Sequence, residues 1–187
     1  MGEYPGRPLT EEEHKCMDAH TTMTYKDSIY VGYRYYEKYH VPVQYCFGHG
    51  LSYTTFDYFG YAVEKVAEDL AQGQKTVALR TDEALDAVAA KVMLTVENTG
   101  ERTGKEIVQV YVGKADSAVE RPVKELRGFD KVELQPGESK EICIPLTMRA
   151  FTYYDEAGHA FVAEPGEYQI YVGKSLEDIQ GKLTITL

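Results

Sequence analysis

Donor atoms are concentrated near the start of the chain, where His14, Cys16, Asp18 and His20 fall within one short polar stretch. If that stretch is helical, the i, i+4 spacing brings Cys16 and His20 onto one face, as a transition-metal ligand pair would need. A protein metal site takes three or four such ligands, and no second cluster follows. His49, between Gly48 and Gly50, sits as a catalytic base in a loop could, but no Ser or Cys nucleophile has a recognisable elbow near it and no orienting partner is evident. The acid runs Glu11-Glu12-Glu13, Asp82-Glu83 and Glu177-Asp178 lie in polar stretches, where carboxylates are solvated. The sequence therefore predicts no catalytic residue, no metal ligand and no cofactor site.

The aromatic tract is chemically richer. Tyr30, Tyr33, Tyr35, Tyr36, Tyr39, Tyr45 and Tyr53 crowd into the segment that also holds Phe47 and Leu51. A tyrosine offers an apolar face with a polar tip, so it can stack on a sugar ring or bury itself at a domain interface. Interface packing is the preferred reading, because a joining tract must bury its surface on its neighbours. Arg34 among these rings suits a buried carboxylate pair or a cation–π contact. Gly32, Gly48 and Gly50 permit close backbone approach. The expected packing residues are Tyr33, Arg34, Tyr35, Tyr36, Phe47, His49, Leu51 and Tyr53. Without its neighbours such an arm would self-associate or stay disordered, and in the first case replacing Tyr33 and Tyr35 with Ser should favour monomer.

What must position these residues is legible downstream. Val92, Leu94 and Val96 alternate with Lys91, Thr95 and Glu97, the period of a half-buried strand. The same alternation recurs at Val108, Val110 and Val112, at Ile142, Ile144 and Leu146, at Tyr168, Ile170 and Val172, and at Leu183, Ile185 and Leu187. Turn chemistry separates these runs at Asn98-Thr99-Gly100, Gln135-Pro136-Gly137-Glu138, Ala157-Gly158 and Glu164-Pro165-Gly166-Glu167. Weaker strands at Phe129–Leu134 and Phe56–Val63 bring the expectation to about seven, the number of an immunoglobulin-like antiparallel β-sandwich. Tyr168 is placed as sandwich domains place a structural tyrosine, its hydroxyl bonding back to the preceding loop. Residues 1–55 read as a mixed polar start and an extended Tyr/Gly-rich arm, which the resemblance given below makes the remnant of a preceding domain and a linker, and 56–187 as the sandwich. Thr10 and Glu13 have capping-box spacing for a short helix through Glu11 to His20. Residues 64–90 mix strand-like Thr76–Leu79 with an Ala-rich run, Ala84 to Ala90, that could be a helical turn or a strand.

Composition bounds the partners. With 187 residues the chain is too short for a (β/α)8 barrel of ~250 residues. Its 20 Lys+Arg against 30 Asp+Glu give a net charge of −10, which repels phosphate backbones and anionic lipid, so neither nucleic acid nor membrane is expected as a partner. No apolar run approaches the ~18 residues of a membrane helix, and the first residues lack the regions of a signal peptide. Cys16, Cys46 and Cys143 are too few and scattered for a disulfide framework, which points to reduced thiols and a cytoplasmic setting.

Several fragments, in order, resemble the C-terminal region of glycoside hydrolase family 3. They are Glu3-Tyr4-Pro5-Gly6, Ile29-Tyr30-Val31-Gly32-Tyr33-Arg34-Tyr35-Tyr36 and, above all, Phe47-Gly48-His49-Gly50-Leu51-Ser52-Tyr53, followed by Val96-Glu97-Asn98-Thr99-Gly100, Arg121-Pro122-Val123-Lys124-Glu125-Leu126-Arg127-Gly128-Phe129 and Gly166-Glu167-Tyr168. The resemblance implies the end of an α/β-sandwich domain, a linker and a fibronectin type III-like domain of a β-glucosidase. It also implies that the aspartate nucleophile and glutamate acid/base of a retaining hydrolase lie on other domains; the Ser-Asp-Trp setting of that nucleophile is absent, since the chain has no Trp. The implied partners are the catalytic domains of the parent enzyme, with β-glucoside reached only through them. A free-standing carbohydrate- or protein-binding sandwich module stays open as the alternative.

Overall fold

The computed structural model describes residues 28–67 and 76–187. The expected Glu11–His20 helix, the His14, Cys16, Asp18 and His20 cluster and the Glu3–Gly6 match lie outside the described residues. A short helix α1 (Tyr33–Lys38) is followed by β1 (Phe56–Lys65), β2 (Val77–Leu79), α2 (Asp82–Asp86), β3 (Val88–Asn98), β4 (Gly104–Gly113), β5 (Glu125–Leu134) and β6 (Ser139–Thr147). A 3-10 turn, Met148–Phe151, leads to β7 (Thr152–Asp155), β8 (Ala160–Ala163), β9 (Glu167–Gly173) and β10 (Ile179–Thr186).

All pairings are antiparallel. One sheet has the order β1-β3-β6, the second β10-β9-β4-β5, and a small third sheet β2-β8-β7. The alternation seen in sequence dictates the core: Val92, Leu94 and Val96 from one sheet meet Val108, Val110, Ile170 and Val172 from the other, all buried. The fold is thus the expected β-sandwich, and each strand read from period-two alternation is present. Among the described residues ten strands replace the expected seven, because β2, β7 and β8 are three or four residues long and too short to display a period. The Ala157-Gly158 signal closes the β7–β8 hairpin, where the Asp155 carboxylate accepts from the amides of Ala157 (3.3 Å) and Gly158 (3.0 Å). The ambiguous Ala84–Ala90 run is both things in turn, the end of α2 and the start of β3. Thr81 caps α2, its hydroxyl accepting from the Ala84 amide at 3.2 Å.

Tyr168 is buried with its hydroxyl 2.8 Å from the carbonyl of Glu164 and 3.0 Å from that of Phe151, against whose ring it stands edge-to-face at 5.2 Å. Its one proton therefore ties β9 to the loop before it and to the 3-10 turn. The arm is not extended throughout, as expected, because Tyr33–Lys38 is helical; six residues are too few to show a helical period. Left-handed His40 (φ 51°) ends the segment before Pro42.

Candidate functional site

The segment 29–55 folds back over the outer face of the four-stranded sheet, and the chemistry of its contacts explains how. On α1, Arg34 and Glu37 lie three apart and so share a face. They meet the successive residues Glu125 and Lys124: Arg34 Nη2 is 2.8 Å from Glu125 Oε1, and Glu37 pairs with Lys124, both side chains largely buried. Glu125 also accepts from Arg127 at 2.5 Å. Tyr33 stacks on Phe47 with centroids 4.5 Å apart, and its hydroxyl accepts from the Leu126 amide at 3.1 Å. Tyr30 donates to Glu120 at 2.8 Å, and burial together with that carboxylate pushes its phenol up to about 12.

Beyond Pro42 the chain crosses β4 and the β9–β10 turn. The Phe47 carbonyl accepts from the Leu176 amide (3.0 Å), and Cys46 Sγ lies 3.4 Å from Ser175 Oγ. Gln109 is the hub: its amide nitrogen donates to the carbonyls of Gly48 (3.2 Å) and Lys174 (2.6 Å), while its oxygen accepts from Tyr111 (2.5 Å). Gln109 and Tyr111 point away from the core, yet both are buried because the arm covers them.

Gly48 has φ 78°, and a Cβ there would overlap the Gln109 amide, which three hydrogen bonds hold in place. Gly48→Ala is accordingly expected to weaken arm docking by about 1–3 kcal/mol. Hydrogen exchange of the Leu176 amide should accelerate, while amides of β3 stay protected; unchanged exchange at Leu176 would contradict this account.

Two hollows flank the docked arm. A cleft of about 600 Å³ lies between α1, residues 41–47 and the β9–β10 turn, with Tyr33, Tyr36, Glu37, Tyr45, Phe47 and Leu176 on its walls. Glu37 Oε2 is buried there without a hydrogen-bond partner among the described residues. A groove of about 420 Å³ runs under residues 48–56 and includes Leu51, Glu106, Ile107, Lys174 and Asp178. Glu106 accepts from the Tyr58 hydroxyl at 3.0 Å, but burial raises its carboxyl above the ordinary range, against the lowering by that hydrogen bond and by Lys174. A carboxyl raised on folding favours the native state below its unfolded value and costs stability as pH rises through its native value. Glu106→Gln is therefore expected to raise the melting temperature at pH 7 and to lose that advantage below pH 4, as a pH series of thermal melts would show.

The expected packing residues divide in two. Tyr33, Arg34, Tyr35 and Tyr36 pack against one another and the chain's own sandwich, so Tyr33 and Tyr35 are not the exposed contacts that the self-association test assumed. Leu51 and Tyr53 stand 94% and 93% exposed, and Phe47 is split between the Tyr33 stack and solvent. His49 is exposed beside the Tyr45 ring, centroids 5.1 Å apart. Arg34 makes both contacts expected of it, though within the chain: the Glu125 pair and a cation–π approach to Tyr33 at 6.0 Å. Sequence reasoning missed Gln109, Tyr111, Lys124 and Glu125. The Arg34/Glu37 spacing opposite adjacent Lys124-Glu125 was the available signal for the last two. Among the described residues no group of three or more His, Cys, Asp or Glu could hold a metal, and no helix is long and apolar enough to cross a membrane.

Residues 106–176 match the fibronectin type III-like domain family. The β-glucosidase BoGH3A of Bacteroides ovatus is 36% identical over 181 residues, covering 97% of this chain and 20% of that protein. An exo-α-(1→6)-L-arabinopyranosidase of Bifidobacterium breve is 41% identical over 187 residues, covering 100% of this chain and 21% of that protein. Among solved structures, the GH3 β-glucosidase of Bifidobacterium adolescentis superposes with a TM-score of 0.73 at 42% identity, over 87% of this chain and 21% of that one. The β-D-glucoside glucohydrolase of Trichoderma reesei gives 0.78 at 29% identity, over 92% and 25%. The chain thus spans about a fifth of the length of the curated relatives it matches.

Proposed function

This chain belongs with the family 3 β-glucosidases, as the part of them that contains the fibronectin type III-like domain, and from that premise we propose that it is a non-catalytic accessory region. In this reading it packs on and stabilises the catalytic domains of a retaining, β-glucosidase-type hydrolase. The carrying observation is the arm: residues 46–50 are fastened to the sandwich through Gln109 and Leu176, so that Leu51 and Tyr53, just beyond, are held out and almost wholly exposed among the described residues. Retaining hydrolysis needs two carboxyl groups ~5–5.5 Å apart, one of them ionised and the other protonated. In this proposal both belong to polypeptide outside the chain, and β-glucoside is met only there. Relatives named for glucosidase and for arabinopyranosidase activity share this region, which supports a mechanical role over a sugar-selecting one.

Purified chain is expected to leave aryl β-glucosides intact over hours at micromolar protein. Turnover at enzymatic rates, abolished by replacing one carboxylate, would overturn the proposal.

One observation favours a second reading, a carbohydrate-binding module. The cleft of about 600 Å³ has aromatic walls in Tyr33, Tyr36, Tyr45 and Phe47, a surface suited to a hydroxylated ring. Calorimetry against cello-oligosaccharides separates the two: saturable micromolar binding lost in Tyr36→Ala supports the module, and no heat supports the accessory role.

A further inference from the structure

The arm covers only part of the sheet's outer face. Val108 and Val110 point into the core, so Ile107 and Gln109 point outward, and across the β4–β5 ladder they stand beside Lys131 and Phe129. Gln109 lies under the arm, but Phe129 is 67% exposed and Ile107 is 41% exposed. Leu51 reaches the same groove as Ile107. Phe129 is the diagonal cross-strand neighbour of Ile107, close enough for their side chains to form one surface. Arm and sheet thus present exposed apolar side chains on one face at Leu51, Ile107 and Phe129. Exposed Lys131 borders it, with the Lys105–Glu133 ion pair (3.0 Å) alongside. Monomeric proteins seldom leave such a face to water unless something covers it.

We propose that Leu51, Ile107 and Phe129 form one composite docking face. Its occupant is polypeptide of the kind the relatives carry beyond the fifth that this chain spans, offering apolar side chains and a carboxylate for Lys131. This rests on the accessory reading and extends it from the arm to the sheet itself. Length supplies the occupant: about four-fifths of each of these curated relatives lies outside the matched region. Charge adds to its chemistry: Lys131, directly across the ladder from Ile107, favours a facing carboxylate over a second copy of the same face.

The test uses intact Bifidobacterium adolescentis β-glucosidase in which this chain replaces the matching region. Phe129→Asp and Ile107→Asp are each expected to shorten its half-life at inactivating temperature at least tenfold. The thermal midpoint of the chain alone should move by only a few degrees, with Phe129 67% and Ile107 41% exposed. If Leu51→Asp shortens the half-life while Phe129→Asp and Ile107→Asp do not, the sheet face is not part of the interface; this inference then fails and the accessory reading stands. If none of the three matters, or the chimera is no more heat-resistant than the enzyme lacking the region, both fail. Binding of bis-ANS to the chain alone gives a second measurement that needs no chimera. It should drop severalfold in the Ile107→Asp/Phe129→Asp double variant, and equal fluorescence would overturn the composite face.

Discussion

Arg121→Met is expected to destabilise the chain by about 3–5 kcal/mol, the range for removing one partner of a buried ion pair. Arg121 Nη1 lies 3.6 Å from Glu164 Oε2, with the side chains only 9% and 6% exposed. The guanidinium also donates to the Thr152 carbonyl at 2.9 Å and lies over the rings of Tyr153 and Tyr168. Methionine fills the volume but leaves a buried carboxylate, held only by Ser117 Oγ (2.6 Å) and the Ala118 amide (2.8 Å). At roughly 2–4 °C per kcal/mol for a chain of this size, the melting temperature should fall by ~10 °C. The double variant Arg121→Met/Glu164→Gln should recover more than half of the loss, since most of it is the unpaired charge rather than the missing attraction. A double variant as unstable as the single one would show that packing of the guanidinium, not charge, is what the loop requires.

Asn98→Ala is expected to cost about 2–4 kcal/mol, because the Asn98 side chain is fully buried and every polar position on it is used. Its nitrogen donates to the carbonyls of Arg102 (2.8 Å) and Leu134 (3.0 Å), and its oxygen accepts from Thr54 Oγ1 (2.7 Å) and the Gly100 amide (3.1 Å). One amide thus joins the entry to β1, the β3–β4 turn and the end of β5. Truncation orphans groups on all three at once. Urea titration should show a lower midpoint with an unchanged m-value, and a shift below 0.5 kcal/mol would mean that water replaces the network.

These two residues also show where the sequence was informative and where it fell short. Asn98-Thr99-Gly100 was readable as a turn, because Asn and Gly announce their backbone geometry locally. That the same amide reaches Leu134 was not, since a contact 36 positions away leaves no mark on neighbouring residues. Strands β3, β4, β6, β9 and β10 were legible because one face of each meets the core and the period is enforced residue by residue. In β4 the alternation marks the core face alone; that Gln109 and Tyr111 on the other face are buried depends on the arm. Phe129 was noticed as part of a motif, but only the ladder with Gln109 places it outward beside Ile107. Of the arm, composition revealed that its aromatics must be buried somewhere. Which of them turn inward, Tyr33 and Tyr35, and which stay outside, Leu51 and Tyr53, depends on the shape of a sheet made from residues far later in the chain.

That dependence sets a timetable for synthesis. The Cys46-Phe47 step finds its seat only when Ser175 and Leu176 have been made, 129 positions further on in both pairs. At roughly 5–20 residues per second, a ribosome leaves the tyrosine tract waiting on the order of ten seconds for its resting place. Throughout that interval the nascent segment is a target for chaperones and for its counterparts on neighbouring ribosomes, so truncation anywhere before β9 would strand it permanently.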